Sequence, residues 1–176
     1  MNRADVAVVG AGIVGLACAL HAARRGNSVV LFDGSPRAEG ASVRNFGMVW
    51  PIGQAPGRIH ERALRSREIW LQVAPAAGIW CEAVGSLHLA YRQDEWEVLQ
   101  EFGARDLGYE VELLDFSGVM ARTGAVRADG LLGGMWSPTE LCIDPREAIA
   151  RLPEWLAETL AELKAGFVQR LSENIF

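Results

Sequence analysis

The sequence predicts an α/β protein that begins with a Rossmann-type βαβ unit and continues into an inserted α+β domain. The glycine-rich stretch VGAGIVG joins a short apolar strand to a helix, as in the first unit of a doubly wound sheet. A second apolar run, VVLF, closes that unit after Gly26 and Asn27. Beyond Pro51 the helical and strand patterns mix without further βαβ spacing, which favours a separate α+β region.

The βαβ unit can be assigned residue by residue. Val6 to Val9 is predicted to be a buried strand of a parallel sheet. Ile13 to Arg25 is predicted to be a helix, because Leu16, Leu20 and Ala23 fall on one face. Gly26 and Asn27 supply its end, and Val29 to Phe32 forms the second strand. The first strand starts almost at Met1, so we expect no signal or transit peptide.

The middle region predicts two helices and three strands. Apolar periodicity places the helices at Arg58 to Ala74 and Asp94 to Leu107. Alternating or continuous apolar residues place the strands at Ser86 to Tyr91, Val111 to Leu114 and Leu131 to Trp136.

The C-terminal part predicts a helix from Pro145 to about Lys164. Asp144 is in position to cap it, and proline is favourable at the first helical position. Pro153 lies inside this run and predicts a kink or a break. Gly166 to Leu171 predicts the start of a further strand. We therefore expect a first domain segment at residues 1–50, a second, α+β domain at 51–142 and a return to the first domain at 143–176.

Composition excludes several classes of protein. The net charge of −5 comes without a basic block, which argues against nucleic acid or a polybasic membrane contact. No apolar run reaches the roughly 18 residues that a membrane span needs. The three cysteines are far apart without CxxC spacing, which argues against a zinc site or a disulfide framework and favours the cytoplasm. The three histidines also lack metal-ligand spacing, so we expect no metal.

The glycine turn is the strongest chemical signal. Gly10 permits the tight turn, Gly12 allows the backbone to approach a pyrophosphate, and Gly15 allows close packing of helix on strand. The helix start at Ile13 and Val14 directs free N–H groups at the phosphates. Asp33 follows the second strand, 18 positions after Gly15, near the spacing at which a carboxylate binds ribose hydroxyls and disfavours NADP.

At this point a family resemblance becomes visible. Gly10, Gly12, Gly15, Ala19 and Gly26 match a glycine pattern that resembles the FAD-binding start of the D-amino-acid-oxidase-like flavoenzymes. The loop GASVRNFGM is similar to the segment after the second strand in the glycine-oxidase-like members. RNFGMVWPIGQ and GSLHLAY look most like a bacterial subgroup associated with phosphonate catabolism.

The resemblance implies FAD as cofactor, with residues 1–50 as the first segment of the FAD-binding domain and 51–142 as part of the substrate domain. It also implies that the loop runs along the cofactor, from pyrophosphate to flavin ring. The residues that it adds to the site are Ala41, Ser42, Arg44, Asn45, Gly47 and Met48. Small residues let the backbone touch a ligand, and apolar ones can cover a flat ring. Two alternatives stay open: Phe46, Met48 and Trp50 could be ordinary core, and Arg44 could form a surface ion pair.

No catalytic constellation stands out. His21 and His60 are expected on solvated helix faces, with a substrate cavity as the alternative for His60. His88 alternates with Leu87 and Leu89 and could line a cavity. Asp94, Glu95, Glu97 and Glu101 are expected on the outer face of a helix.

The resemblance implies an FAD-dependent oxidoreductase that oxidises a small amine or amino acid, such as an aminophosphonate, by hydride transfer. Relatives are about twice as long, so this chain is expected to be a truncated, inactive form. One alternative is an NAD-dependent reductase or dehydrogenase. Another is a nucleotide-binding subunit that needs a complementing C-terminal half, and a homo-oligomer stays open.

Overall fold

The computed structural model describes residues 4–35 and 39–162, without the side chains of 160–162. The strands are β1 (Val6–Val9), β2 (Val29–Phe32), β3 (Met48–Val49), β4 (Cys81–Glu82), β5 (Ser86–Ala90), β6 (Glu112–Asp115), β7 (Gly133–Ser137) and β8 (Leu141–Ile143). The α-helices are α1 (Ile13–Arg24), α2 (Arg58–Ala76), α3 (Gln93–Ala104), α4 (Phe116–Arg122) and α5 (Pro145–Glu162). Two short 3-10 turns cover Ala41–Arg44 and Pro51–Gly53.

The chain divides into two compact units. Unit 1 is the described part of Met1–Gly47, Gln72–Trp80 and Ile143–Phe176, and unit 2 is Met48–Leu71 with Cys81–Cys142. The expected domain roles, cofactor binding and substrate binding, stay predictions.

Unit 1 contains the predicted βαβ unit. β1 and β2 pair in parallel, with Val6 opposite Val29 and Val9 opposite Phe32. α1 buries Leu16, Ala19, Leu20 and Ala23, the apolar face that the sequence indicated. The helix ends where predicted: Gly26 has φ +83° and donates its N–H to the carbonyl of Ala23 at 2.8 Å. A parallel pair joined by a helix is therefore confirmed.

The return helix α5 also belongs to unit 1. It packs against α1 and against the turn Ala41–Arg44. Asp144 Oδ1 accepts the N–H groups of Arg146 and Glu147 at 2.8 and 3.0 Å, so the predicted cap is confirmed. The helix continues through Pro153, so the alternative of a break there is wrong. Burial of Ile149, Leu152 and Leu156 on either side stabilises the continuous helix. The strand expected at Gly166 to Leu171 lies outside the described residues.

Two three-stranded sheets follow, in which β5 and β6 pair antiparallel with β7, and β3 pairs antiparallel with β8. In one, β7 lies between β5 and β6, and in the other β8 lies between β3 and β4. Leu114, Val119 and Leu131 form a core to which Leu87 and Leu89 of β5 add their side chains. Since residues alternate along a strand, Ser86 and His88 lie on the opposite face of β5. Helix α4 and strands β3, β4 and β8 were not predicted.

Candidate functional site

The glycine turn is shaped by contacts that only glycine tolerates. Gly10 has φ +99° and donates its N–H to the carbonyl of Phe32 at 2.7 Å, which ties the turn to β2. A Cβ on Gly15 would lie 1.8 Å from the carbonyl oxygen of Gly10. The roles that the sequence assigned to these two glycines, a tight turn and close helix packing, therefore have matching geometry.

The first turn of α1 offers backbone N–H donors and has no acidic side chain of its own. Gly12 is the N-cap and contributes no side chain, and the first turn holds no acidic residue. Ser42 Oγ accepts the N–H of Ile13 at 3.1 Å, and a Cβ on Gly12 would lie 3.1 Å from this oxygen. Val14 is 74% exposed on the same turn. The loop residue Ser42 and the glycine turn thus meet in space, 29 positions apart.

Asp33 lies at the same edge of the sheet. Its Oδ2 accepts the N–H of Ala11 at 2.5 Å, and its Oδ1 accepts the N–H of Ser35 at 2.9 Å. The carboxyl ends of parallel strands face one edge, where ligands of such sheets bind. Asp33 therefore stands beside the turn, as its spacing predicted.

The loop after β2 is held by its own polar groups. Asn45 Oδ1 accepts the N–H of Gly47 at 2.7 Å, and Gly47 has φ +80°. A Cβ on Gly47 would lie 1.9 Å from the carbonyl oxygen of Ile143, so the chain must pass this point as glycine. Asn45 and Gly47 thus have a structural role in unit 1, whatever else they contact.

The other loop residues are largely exposed. Ala41 and Arg44 lie on the surface, and Phe46 is 78% exposed. In unit 2, Met48 is 45% and Trp50 is 42% exposed. The contact of these three apolar residues with a cofactor, and the alternative that they pack as core between the two domains, both stay predictions.

These features fit an adenine dinucleotide. The first turn of α1 supplies N–H donors and has no acidic side chain of its own, and Ser42 adds a hydroxyl. Asp33, which already accepts the N–H of Ala11, adds an acceptor for ribose. The glycine turn, Ser42 and Asp33 are thereby brought together at one end of β1 and β2. Their contact with a cofactor stays a prediction.

Unit 2 contains a polar cluster that sequence reasoning missed. Glu140 is only 2% exposed, and its Oε1 accepts the N–H of Ile52 at 3.2 Å and the hydroxyl of Thr139 at 2.8 Å. Its Oε2 accepts the hydroxyl of Ser86 at 3.0 Å, and Ser86 Oγ lies 3.0 Å from His88 Nε2. We call Glu140, Ser86, His88, Thr139 and the N–H of Ile52 the Glu140 cluster. The available signal was an acid directly before the apolar strand β8.

The histidines differ from one another. His21 is exposed on α1 as expected. The expectation for His60 is wrong: it is 5% exposed and meets Tyr109 edge-on at 4.4 Å between ring centroids. An aromatic neighbour from a distant part of the chain buries it, which helical periodicity cannot reveal. His88 is half-buried, and burial lowers its pKa, against a smaller opposing effect of Glu140.

Two further expectations concern metal and membrane. Within residues 4–35 and 39–162, no group of His, Cys, Asp and Glu side chains could hold a metal ion. None of the helices in these ranges is long and apolar enough to cross a membrane.

Comparison with known proteins identifies the relatives. A family model described as "FAD dependent oxidoreductase" (DAO) matches residues 5–174. No curated protein matches the sequence.

Solved structures with a similar fold are found as well. Glycine oxidase from Geobacillus kaustophilus has a TM-score of 0.79 and 22% identity over 98% of this chain and 47% of its own. L-proline dehydrogenase from P. horikoshii has a TM-score of 0.77 and 21% identity, over 97% of this chain and 44% of its own. FAD-bound L-alpha-glycerophosphate oxidase from Mycoplasma pneumoniae has a TM-score of 0.72 and 21% identity, over 98% of this chain and 45% of its own. This chain thus spans less than half the length of these structures, which share its fold.

Proposed function

Because the chain belongs to the FAD dependent oxidoreductase family, we propose that it binds FAD and contributes to the oxidation of a small amine or amino acid. The family match favours FAD over the nicotinamide alternative. The observation that carries the proposal is the meeting of the glycine turn, Ser42 and Asp33 at one edge of the β1–β2 sheet.

Each residue of this edge would have a defined task. The N–H groups at Ile13 and Val14 would point at the pyrophosphate, where the helix dipole favours negative charge. Ser42 would turn its hydroxyl from the N–H of Ile13 to a phosphate oxygen. Asp33 would accept the ribose hydroxyls, which also disfavours a 2′-phosphate.

The loop would follow the cofactor toward its ring. Ala41 has a small side chain, and Arg44 and Asn45 would fix the path of the loop. Gly47 lets the backbone pass close to its neighbours, and Met48 offers an exposed apolar side chain. Bound FAD supplies the hydride acceptor for oxidising the C–H bond beside an amine nitrogen.

The substrate class is drawn from relatives. Glycine oxidase and L-proline dehydrogenase are named for amino acids, and L-amino acid deaminase from Proteus vulgaris is a further similar structure. We propose an amine or amino acid, with an aminophosphonate as the finer candidate from the RNFGMVWPIGQ and GSLHLAY segments. The reaction would release an imine, which water hydrolyses. A cytoplasmic location accords with this chemistry.

The test starts with the spectrum of the purified chain. We expect the visible flavin spectrum to shift as FAD is titrated into the chain, and no comparable binding of NADH. We expect weak binding by this chain alone, since Val9 and Val14 beside the turn are 85% and 74% exposed, and no amine turnover.

Two variants make the binding test specific. Asp33→Ala should weaken FAD binding by about 10- to 100-fold, since a charge-assisted hydrogen bond contributes about 1.5–3 kcal/mol. Asp129→Ala, at an exposed acid of unit 2, is the matched control and should leave the affinity unchanged. Equal affinity for FAD in wild type and Asp33→Ala would contradict the assigned site.

A further inference from the structure

The Glu140 cluster determines which way its hydrogen bonds run. Glu140 receives donations from the Ile52 N–H, the Thr139 hydroxyl and the Ser86 hydroxyl. An ionised carboxylate offers only acceptor sites, so it can take all three. The proton of Ser86 is therefore directed at Glu140.

This direction fixes the tautomer of His88. A serine hydroxyl carries one proton, and Ser86 gives it to Glu140, so Ser86 Oγ must accept in its 3.0 Å contact with His88 Nε2. A neutral imidazole has one N–H, which the contact places on Nε2. The lone pair is then on Nδ1.

The Nδ1 atom is open to a ligand. It has no hydrogen-bond partner among the described residues, and every buried side-chain nitrogen or oxygen in that part of the chain has one. Nδ1 must therefore reach solvent. Beside it, the Trp50 ring stacks on the imidazole with 6.1 Å between centroids and 20° between planes, and 42% of Trp50 is exposed.

We propose that His88 Nδ1 accepts a hydrogen bond from the ammonium group of a small amine, with Ser86 and Glu140 as positioning residues that hold its tautomer. The ligand must supply a donor, because His88 Nδ1 offers only a bare lone pair. A cation is favoured because the Glu140 carboxylate is joined to His88 through the hydroxyl of Ser86. Trp50 supplies an apolar wall for the carbon atoms. That this amine is the substrate rests on the proposed function.

The decisive measurement is nitrogen NMR of the histidine rings in the FAD-free chain at neutral pH. The chain has three histidines, and His21, exposed on α1, is the internal control. We expect the Nε2–H tautomer for His88.

Glu140→Gln should reverse this tautomer. The glutamine oxygen would keep the donors of Ile52 and Thr139, and its amide would donate to Ser86. Ser86 would then donate to Nε2, and the ring proton would move to Nδ1. The His21 signal should not change.

Ligand binding is probed with ethylammonium chloride, and tetramethylammonium chloride is the matched cation without an N–H. We expect ethylammonium to shift Nδ1 in the wild type and tetramethylammonium to leave it unchanged. In Glu140→Gln the affinity should fall roughly tenfold or more, because the acceptor becomes a donor.

Three results would overturn the proposal: an Nδ1–H tautomer in the wild type, an unchanged tautomer in Glu140→Gln, or equal responses to the two cations. FAD titration of the same chain reports separately on the proposed function. A chain that fails to bind FAD would leave the His88 result standing, and the reverse also holds.

Discussion

The glycine turn of unit 1 and the Glu140 cluster of unit 2 are two polar sites built in different ways. The turn consists of backbone groups and residues close in sequence, with Gly10 and Gly15 bounding it. The cluster joins side chains of two separate segments, Ser86–His88 and Thr139–Glu140, to the backbone N–H of Ile52, which is 88 positions from Glu140. The turn depends on glycines, which have no side chain, whereas the cluster depends on the hydrogen bond that each of its polar groups makes.

This difference predicts how each site fails. At the turn, an added atom should be the damaging change, because the space is already filled by backbone. In the cluster, a removed atom should be the damaging change, because its partners would remain buried without a bond. The four predictions below test this contrast, from the largest expected effect to the smallest.

Gly15→Val should have the largest effect. Its Cβ would lie 1.8 Å from the Gly10 carbonyl oxygen, and no rotamer can relieve a clash with backbone. We expect a loss of more than about 3 kcal/mol in the free energy of unfolding. Hydrogen exchange resolved by segment should show lost protection in β1, α1 and β2.

Gly34→Ala is the control for this variant, since nothing lies within 4 Å of the added Cβ. Unchanged protection of β1 and α1 in Gly15→Val would mean that the turn accommodates an added side chain. It would contradict the expectation that added atoms damage this site.

Glu140→Ala should cost about 2–4 kcal/mol of unfolding free energy. The Ile52 N–H and the hydroxyls of Ser86 and Thr139 would lose their acceptor, and each unsatisfied buried donor costs about 1–3 kcal/mol before relaxation. Chemical denaturation measures the loss. Glu140→Gln, which keeps a partner for all three groups, should lose less than about 1.5 kcal/mol. Equal losses in the two variants would point to the lost negative charge, which they share, and would contradict a cost from unsatisfied donors.

Ser42→Ala should destabilise α1 by about 1 kcal/mol, because the N–H of Ile13 loses its hydroxyl acceptor. Exchange of the Ile13 amide should become faster. Ser66→Ala, on the exposed face of α2, is the matched control and should leave the exchange rate of the Ile13 amide unchanged. Unchanged protection of the Ile13 amide in Ser42→Ala would show that the Ser42 hydroxyl does not stabilise the glycine turn.

The smallest effect concerns pH. Burial lowers the pKa of His88 below the ordinary histidine value, so the unfolded chain binds more protons once the pH falls below about 6.5. The stabilisation is complete above that pH and is lost as the pH falls through the lowered pKa. The Tm should therefore fall by a few degrees at most on mild acidification.

His88→Gln isolates this contribution, because glutamine does not titrate. Its Tm should change less than that of the wild type over the same range. Hydrogen bonds from Ser28 and from Gly118 lower the pKa values of the carboxyls of Asp5 and Asp115. The stabilisation from these two carboxyls is lost only below about pH 4, so it does not overlap with the contribution of His88. Parallel pH profiles for wild type and variant would contradict the assignment to His88.

The longer elements were predictable because their signals are local. The βαβ unit, α2, α3 and β5 each have a periodicity or an end signal within their own residues. The short strands β3, β4 and β8 have two or three residues and exist only through pairing with distant segments. Two or three residues carry no period, so these strands could not be assigned.

The candidate site follows the same division. Gly10, Gly12, Gly15 and Asp33 could be chosen from spacing, because a turn and its flanking elements specify the backbone path. The burial of His60 against Tyr109 and the exposure of Phe46 could not, because each depends on neighbours far away in the chain.

The sequence by itself determined the family, the βαβ start and the glycine positions, since each of these is encoded by residue type over short distances. Only the tertiary structure decided that Ser42 meets the N–H of Ile13 and that Glu140 gathers Ile52, Ser86 and Thr139. The physical reason is that burial and side-chain hydrogen bonds depend on which distant segments pack together.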